Sequence, residues 1–409
     1  MRIAKPLHLV AGIAALGMVL TACSAPNSGS TDKPAVSAAA GNVPDKPSAP
    51  VTLNILDVAG NKKLTGPMVD KFVKDHPDIV SSVTWENAGA PDLVGTIKPQ
   101  VDSKKLSVDL VMTGNDGLSA GIDQKLWVPI VKDYGARLTN MNNYIDPAAK
   151  MQALANGFGV VTTYYPSGPL LQYDPKVVTN VPKTPEALLA WAKAHPNKFG
   201  YARPANSGPG RTFLMGLPYM LGDKDPRDPV NGWAKTWAYL KDLGQYVNTY
   251  PTSTRQVVTN MANGTWSLTP TQLGWDINPR ALGQEPKRIA AAPFDNFTWV
   301  SGAHYAVVPK GQDPEKMSAI LNLLQYMLTP QVNAMAYDTG YFYPGPSIEG
   351  ATLDLAPQAS QDVIKEFGRD WYDAAIKSHD IQTQLDPASL VKAFDIWDRE
   401  VGSGKYTAK

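Results

Sequence analysis

The chain contains little cysteine and histidine, and it has almost no excess of charge of either sign. It has one cysteine and five histidines among 409 residues. If the cysteine, Cys23, is acylated as described below, no thiol remains for a disulfide, a thiolate nucleophile or a zinc ligand. No two histidines have the spacing of zinc ligands, so we predict neither a metal nor a cofactor. The formal net charge of +1 argues against a nucleic-acid partner, which would favour a basic excess.

The first 22 residues have the character of a signal peptide. Arg2 and Lys5 form a basic start, and Leu7–Leu20 is an uncharged apolar run that is too short to span a bilayer. The residues Leu20-Thr21-Ala22-Cys23 resemble a bacterial lipobox, which implies cleavage before Cys23 and lipidation of its thiol. A secretory signal with an incidental cysteine is the alternative. Residues 23–50 are rich in Ser, Ala, Pro and Gly, so we predict a flexible tether there.

The segment after the tether alternates strand and helix patterns. Val51–Val58, Ser82–Glu86 and Val108–Thr113 read as strands, with helices at Lys63–Asp75 and Asp92–Ser103 between them. This order predicts an α/β fold with an open, mostly parallel sheet. Ligands of such sheets bind beyond the carboxyl ends of the strands. The short polar residues at those ends therefore become ligand candidates, including Asn61 and Asp116.

A second candidate region is Lys198–Gly216, which reads as a short strand, a turn rich in Gly, Ser and Pro, and the start of an apolar helix. A helix start leaves main-chain N–H groups unpaired and carries partial positive charge, so it suits an oxygen-rich or anionic group. Arg211 adds a permanently charged fork of donors. An ordinary tight surface turn is the alternative.

The chain as a whole resembles the extracellular solute-binding proteins of ABC importers. The matching pieces are the lipobox and, in the same order along the chain, Pro169–Val177, Pro182–Trp191, Phe297–Pro309, Ala319–Pro330 and Gly340-Tyr341. The resemblance implies a two-lobed, type II periplasmic-binding-protein-like fold, in which each lobe is a mostly parallel sheet flanked by helices. Residues 51–163 and 300–343 would form lobe 1, and residues 164–299 and 344–409 would form lobe 2. It also implies a permease and ATPase subunits as partners.

The polyamine-binding branch has the most similar pattern, but this chain departs from it in charge. Trp299 matches a tryptophan that packs on the ligand in that branch. Ser301 stands where the branch has an aspartate that binds an amine, and Asn206–Phe213 contains Arg211 but no carboxylate. A buried ammonium without a carboxylate is costly. We therefore expect a hydroxylated or anionic solute, such as a sugar, an organic acid or a phosphonate, with a polyamine as the alternative.

The predicted protein is a monomeric, membrane-tethered binder in the cell envelope, anchored at the outer face of the cytoplasmic membrane or periplasmic in a two-membrane bacterium. Its predicted hinge segments are Thr163–Tyr165, Val300–Gly302 and Tyr343-Pro344. For each aromatic candidate, burial in the core is the alternative, and Asp276 has Arg280 as an alternative partner four residues on. The predicted ligand-binding residues are Asn61, Asp116, Tyr165, Ser207, Arg211, Trp266, Asp276 and Trp299.

One short motif favours an enzyme instead. Gly117-Leu118-Ser119-Ala120-Gly121 matches the G-x-S-x-G pattern of a serine hydrolase. The nucleophile of that pattern sits on a strained turn directly after a strand, whereas Gly114-Asn115-Asp116 intervene here, and no long helix is predicted before Pro129. We therefore predict no enzymatic activity, with a secreted hydrolase that uses Ser119 as the alternative.

Overall fold

A computed structural model describes residues 40–58 and 60–406 of the chain. The predicted signal peptide, Cys23 and the first part of the predicted tether lie outside these residues. The strands are β1 (Val51–Val58), β2 (Val80–Ala88), β3 (Leu110–Thr113), β4 (Val160–Gly168), β5 (Leu170–Tyr173), β6 (Leu268–Thr271), β7 (Ala290–Pro293), β8 (Trp299–Val307) and β9 (Ile381–Gln382). The helices are α1 (Lys62–Asp75), α2 (Leu93–Ser103), α3 (Asn115–Asp123), α4 (Ile130–Tyr134), α5 (Asp146–Leu154), α6 (Pro185–Ala194), α7 (Gly208–Met220), α8 (Ala234–Gly244), α9 (Thr254–Ala262), α10 (Asn278–Ala281), α11 (Pro314–Met327), α12 (Pro330–Asn333), α13 (Gln358–Phe367), α14 (Tyr372–Ser378) and α15 (Pro387–Glu400).

The larger sheet has the strand order β2-β1-β3-β8-β4, with β9 paired to the start of β8. The first three strands are parallel, as the alternating strand and helix patterns predict, whereas β8 runs antiparallel to β3 and β4. β3 is buried along its whole length, as expected for a central strand with helices on both faces. The carboxyl ends of β1, β2 and β3 therefore meet at one edge of the sheet.

The smaller sheet corrects one prediction. Its order is β6-β5-β7, and β5 is antiparallel to both neighbours, so this sheet is not mostly parallel. The parallel contribution here is an isolated bridge between Phe199 and Leu268. A short apolar strand has the same pattern in either direction, because direction depends on how the chain returns to the sheet rather than on which faces are buried.

Two hydrophobic cores surround the two sheets. The first contains residues from Leu53 to Tyr164 and from Ala303 to Ala351, and the second contains residues from Leu170 to Val300 and from Ile364 to Val401. We keep the names lobe 1 and lobe 2 for the parts around these cores. Ile348 and Ala351 were assigned to lobe 2 in the prediction but pack in lobe 1, because the chain after Tyr343 bridges to Tyr144 there. β4 and β8 run side by side from one lobe to the other.

The end of the predicted tether lies on lobe 1 rather than free of it. The guanidinium group of Arg137 donates hydrogen bonds of 2.9 Å to the carbonyl oxygens of Pro44 and Asp45. The amide of Asn322 donates to the same Asp45 oxygen at 2.8 Å, and Val43 packs against the first core. The flexible tether therefore does not extend to residue 50. The amino-acid composition of residues 23–50 suggested a tether, but composition cannot reveal hydrogen bonds to distant residues such as Arg137 and Asn322.

Candidate functional site

A cleft of about 530 Å³ lies between the two lobes. Lobe 1 contributes the carboxyl ends of its parallel strands, with Asp57 from β1, Asn87 and Ala88 from β2, and Gly114 and Asp116 after β3. Lobe 2 contributes the amino ends of α7 and α9 together with Trp275, Asn278 and Gln284. Both walls are therefore made of strand and helix ends, where main-chain groups and short polar side chains are available for a ligand.

The amino end of α7 confirms the predicted turn and helix. Ser207 caps this helix, because its hydroxyl accepts a hydrogen bond of 3.2 Å from the main-chain N–H of Gly210. Gly210 packs so closely that a Cβ there would lie 2.3 Å from the carbonyl oxygen of Ala202, so the turn needs glycine at this position. Ser207 thus shapes the helix start rather than lining the cleft. Arg211, one turn into the helix, lies on the cleft wall.

Arg211 and Asp116 join the two walls. An Nη2 atom of Arg211 lies 3.0 Å from Oδ2 of Asp116, and the two side chains are only 9% and 11% exposed. The other carboxylate oxygen of Asp116 accepts from the main-chain N–H of Gly117 at 3.0 Å. The guanidinium carbon of Arg211 also lies 5.8 Å from the ring centroid of Phe394 in α15. The Nε of Arg211 is buried and has no hydrogen-bond partner, and the contact with Asp116 uses a donor on Nη2 alone.

Aromatic side chains form the back of the cleft. The ring of Tyr165 stacks on Phe342 at a centroid distance of 4.4 Å, and the ring of His304 meets Phe342 edge-on at 4.7 Å. Gly302 leaves the space that the Tyr165 ring occupies, since a Cβ there would come within 2.3 Å of it. Tyr341 continues the row, with Trp275 at a centroid distance of 5.3 Å. Rings in this arrangement can pack on the C–H faces of a solute.

Burial keeps two titratable groups in this wall neutral. It lowers the pKa of His304 to about 3; the negative charge of Asp116 opposes this effect to a smaller extent, and the positive charge of Arg211 adds to it. It also raises the pKa of the Tyr165 hydroxyl well above its usual range. The Nδ1 atom of His304 has no hydrogen-bond partner. At neutral pH the imidazole can therefore donate or accept a hydrogen bond but carries no charge.

Asp57 is a cleft residue that sequence reasoning missed. It is 6% exposed, one of its carboxyl oxygens has no hydrogen-bond partner, and burial raises its pKa despite hydrogen bonds from main-chain groups at the start of α1. A single acid near the end of the otherwise apolar pattern of β1 is the signal that could have identified it. His304, Tyr341 and Phe342 were missed as well, because their role depends on the meeting of β8 and a distant loop.

The remaining predicted residues lie away from the cleft wall. Asn61 is fully buried and its amide donates to the carbonyl oxygen of Val58. Trp266 packs in a small separate cluster with Val257 and Met261. Trp299 is fully buried in the second core, and its indole N–H donates to the carbonyl oxygen of Ala375 at 3.0 Å. For both tryptophans, the alternative of core burial describes the structure. The predicted residues that line the cleft are Asp116, Tyr165 and Arg211.

Asp276 also lies in the protein interior, and it pairs with Arg280, the partner that the sequence offered as an alternative to a ligand. It is fully buried, with Arg280 at 3.3 Å and Arg369 at 3.2 Å from the same carboxylate oxygen. Arg280 further donates to the carbonyl oxygens of Asp276 at 2.5 Å and Phe367 at 2.6 Å. This network connects segments within lobe 2 and does not line the cleft.

Ser119 does not have the position of a nucleophile. It lies in the middle of α3, a helix that sequence reasoning did not expect, and it is 3% exposed. Its hydroxyl donates to the carbonyl oxygen of Asn115 at 2.5 Å, and the residue does not line the cleft. The G-x-S-x-G match is thus part of an ordinary buried helix rather than a strained turn.

Residues 40–58 and 60–406 contain neither a candidate metal site nor a candidate membrane-spanning helix. No group of three or more His, Cys, Asp or Glu side chains there could hold a metal ion. No helix in the same residues combines the length and apolar character needed to cross a bilayer.

Comparisons with known proteins agree with this geometry. A family model of bacterial extracellular solute-binding proteins matches residues 67–366. No curated protein sequence matches the chain. Among solved structures, a putative spermidine/putrescine ABC transporter from Listeria monocytogenes is 15% identical, with a TM-score of 0.56 over 85% of this chain and 99% of that one.

Two other similar structures are named for different ligands. Apo ferric ion-binding protein A of Pasteurella haemolytica is 15% identical, with a TM-score of 0.58 over 84% of this chain and 94% of that one. AfuA of Actinobacillus pleuropneumoniae, bound to fructose-6-phosphate, is 12% identical, with a TM-score of 0.58 over 86% and 98%. At these identities the likeness concerns the fold alone. The neighbours are two-lobed periplasmic binding proteins, which confirms the predicted fold class.

Proposed function

Because the chain belongs to the bacterial extracellular solute-binding proteins, we propose that it serves an ABC importer, capturing a small polar solute between its lobes and presenting it to a permease. The solute is hydroxylated or anionic, from the sugars, organic acids or phosphonates, and it is released chemically unchanged. Closure around the solute is driven by its higher affinity for the closed form.

The observation that carries this proposal is the buried contact between Arg211 of lobe 2 and Asp116 of lobe 1. Groups from both walls converge at this point on one polar site, next to the rings of Tyr165 and His304. A solute bound there touches both lobes at once, which is what couples binding to closure. Aromatic faces with a few convergent polar groups are typical of sites for small polar molecules.

The carboxylates of the cleft do not favour a polyamine. Asp57 and Asp116 are the acidic residues of its lining, against Lys63, Arg211 and Arg255. Asp116 is already paired with Arg211, and burial favours the neutral form of Asp57. A polyamine would bring several ammonium groups to a site with few free carboxylates, which is costly when the groups lose water.

We further propose a hinge between the lobes and a lipid anchor at the membrane. The hinge comprises Thr163–Tyr165 and Val300–Gly302, where β4 and β8 cross between the lobes with Tyr165 opposite Gly302, together with Tyr343-Pro344. A lipid on Cys23 would hold this monomeric protein at the outer face of a membrane, next to the permease and its ATPase subunits.

Release of bound small molecules tests the proposal. We expect mass spectrometry of the denatured, purified protein to identify a hydroxylated or anionic solute. Adding that solute back to refolded protein should reduce the radius of gyration measured by X-ray scattering, as hinge closure requires. Release of spermidine or putrescine would contradict the solute class, and chemical conversion of the added solute would contradict its role as a binder.

A further inference from the structure

The end of the cleft around Asp116 and Arg211 contains two opposite charges, so its net charge is zero. Asp116 contributes one negative charge and Arg211 one positive charge, 3.0 Å apart. The two titratable groups beside them, Tyr165 and His304, are nearly or fully buried and are held in their neutral forms. The other charges of the lining, Lys63, Arg255 and Asp57, lie near Tyr341, at the other end of the aromatic row.

The same end still offers both donors and acceptors. Arg211 uses one of the five N–H donors of its guanidinium group for Asp116, and both Arg211 and His304 line the cleft. The carboxylate of Asp116 can accept further hydrogen bonds, since an ionised carboxylate has about four acceptor positions. A hydroxyl group both donates and accepts, so it can bind between these groups while the ion pair stays intact.

A solute with a net charge at this point would break the balance. An anion that binds Arg211 would leave Asp116 buried beside a second negative charge, and an ammonium on Asp116 would do the same to Arg211. Leaving one member of a buried pair uncompensated is strongly unfavourable. Resting on the function proposed above, we infer that the Asp116–Arg211 pair makes this end of the cleft select uncharged hydroxyl groups, and that removing either charge reverses the selectivity in a defined direction.

Two nearly isosteric variants test this inference. Asp116→Asn leaves Arg211 unpaired and should favour an acid, whereas Arg211→Gln leaves Asp116 unpaired and should favour an amine. The probes are matched within two carbon frames: glucose, glucuronate and glucosamine, and glycerol, glycerate and 2-amino-1,3-propanediol. Affinities are measured by calorimetry or by saturation-transfer NMR for weak binding. Asp395→Asn and Arg399→Gln are the controls, because this aspartate–arginine pair is 62% exposed on both sides and does not line the cleft.

We expect the unmodified protein and both controls to prefer the neutral member of a frame by about tenfold or more over its charged relatives. Asp116→Asn should shift the acid-to-neutral ratio of affinities by about tenfold toward the acid, and Arg211→Gln should shift the amine-to-neutral ratio by a similar factor toward the amine. If the unmodified protein binds no probe measurably, the two variants are compared with each other, and the acid should bind more tightly to Asp116→Asn and the amine more tightly to Arg211→Gln.

Two results would contradict the inference about selectivity. One of them leaves the proposed binding function intact, and the other contradicts the proposed solute class as well. If probes bind but both variants keep the preference of the unmodified protein, the ion pair does not set selectivity, and the proposed binding function stands. If no probe binds any of the proteins, a hydroxylated solute is rejected together with the inference. Melting temperatures of all the variants establish that each one is folded during the measurement.

Discussion

Asp116 and Asp276 are both buried aspartates that bind arginine, but the surroundings of the two pairs differ. Asp276 is fully buried in lobe 2 and is shared by Arg280 and Arg369, both of which also donate to main-chain carbonyl oxygens. Asp116 has one arginine partner, which comes from the opposite lobe and retains a free Nε. The first is an interior network within one lobe, in which Oδ1 of Asp276 also lacks a partner, whereas the second is a single contact between two lobes at a cleft.

The difference indicates which of the two can respond to a ligand. Each arginine of the interior network has partners fixed by the fold, and the network can open only if segments of lobe 2 separate. The cleft pair borders water and joins parts that a hinge lets move. Burial and ion pairing alone therefore do not identify a binding site. The additional sign is a partner from the other lobe, because a buried atom without a partner occurs in both pairs, on Arg211 and on Asp276.

Removal of Asp276 should have the largest effect on stability. Asp276→Ala leaves Arg280 and Arg369 in the interior without their carboxylate, so we expect a loss of about 3–5 kcal/mol in the free energy of unfolding. Denaturant unfolding of the purified protein measures it.

Two further variants provide reference values for the loss of stability in Asp276→Ala. Asp116→Ala should cost less, about 1–2 kcal/mol, because water in the cleft can solvate the freed Arg211. Asp395→Ala removes an exposed pair and should cost less than about 1 kcal/mol. Equal losses for Asp276→Ala and Asp116→Ala would contradict the distinction between an interior network and a cleft contact.

Replacing Arg280 or Arg211 with lysine should also destabilise the protein to different extents, but the difference in the free energy of unfolding is smaller than for the aspartates. Arg280 uses its fork for Asp276 and for two main-chain carbonyl oxygens, so Arg280→Lys leaves buried acceptors unsatisfied and should cost about 2–3 kcal/mol. A single contact joins Arg211 to Asp116, and Arg211→Lys can preserve it at a cost below about 1 kcal/mol. Denaturant unfolding of both variants tests the contrast, and a larger loss for Arg211→Lys would contradict it.

Local patterns were sufficient to predict much of the fold. β1 was predicted with its observed ends, and the capped helix α6 was signalled by Thr184, whose hydroxyl accepts from the N–H of Ala187. These features depend on neighbours in the sequence. The antiparallel direction of β5, the docking of Val43–Asp45 on Arg137 and the helix α3 depend on distant partners or on packing, so the sequence pattern did not reveal them.

The candidate site was predictable in part for the same reason. Asp116 and Arg211 follow local signals, a strand end and a helix start, and both line the cleft. Their contact spans 95 positions of the chain, and no local pattern predicts such a pairing. Asp276 and Arg280 are four residues apart, so their pairing was anticipated as an alternative. Trp299 shows that an aromatic residue matched by family resemblance can still belong to the core.

A pH dependence of stability above pH 6.5 is expected from Glu285, in the interior of lobe 2. Glu285 is 3% exposed, Gln172 donates to one of its oxygens at 2.6 Å, and burial raises its pKa to about 8, with Asp276 adding to the rise. The folded protein therefore keeps a proton that the unfolded chain has lost above pH 4.5, so stability should fall as pH rises toward 8.

His304 in the cleft has the opposite effect on the pH dependence of stability, and its pKa determines the pH range in which the Glu285 effect can be measured. Burial lowers the pKa of His304 from 6.5 to about 3, so His304 makes stability rise with pH, but only below about pH 6.5. Between pH 6.5 and pH 8 the Glu285 effect stands alone and should amount to about 2 kcal/mol. In Glu285→Gln the amide oxygen can still accept from Gln172 while the titration is gone, so this variant should lose less stability over the same range. An unchanged pH profile in Glu285→Gln would mean that the interior network holds no proton, and it would leave the two regions alike in this respect.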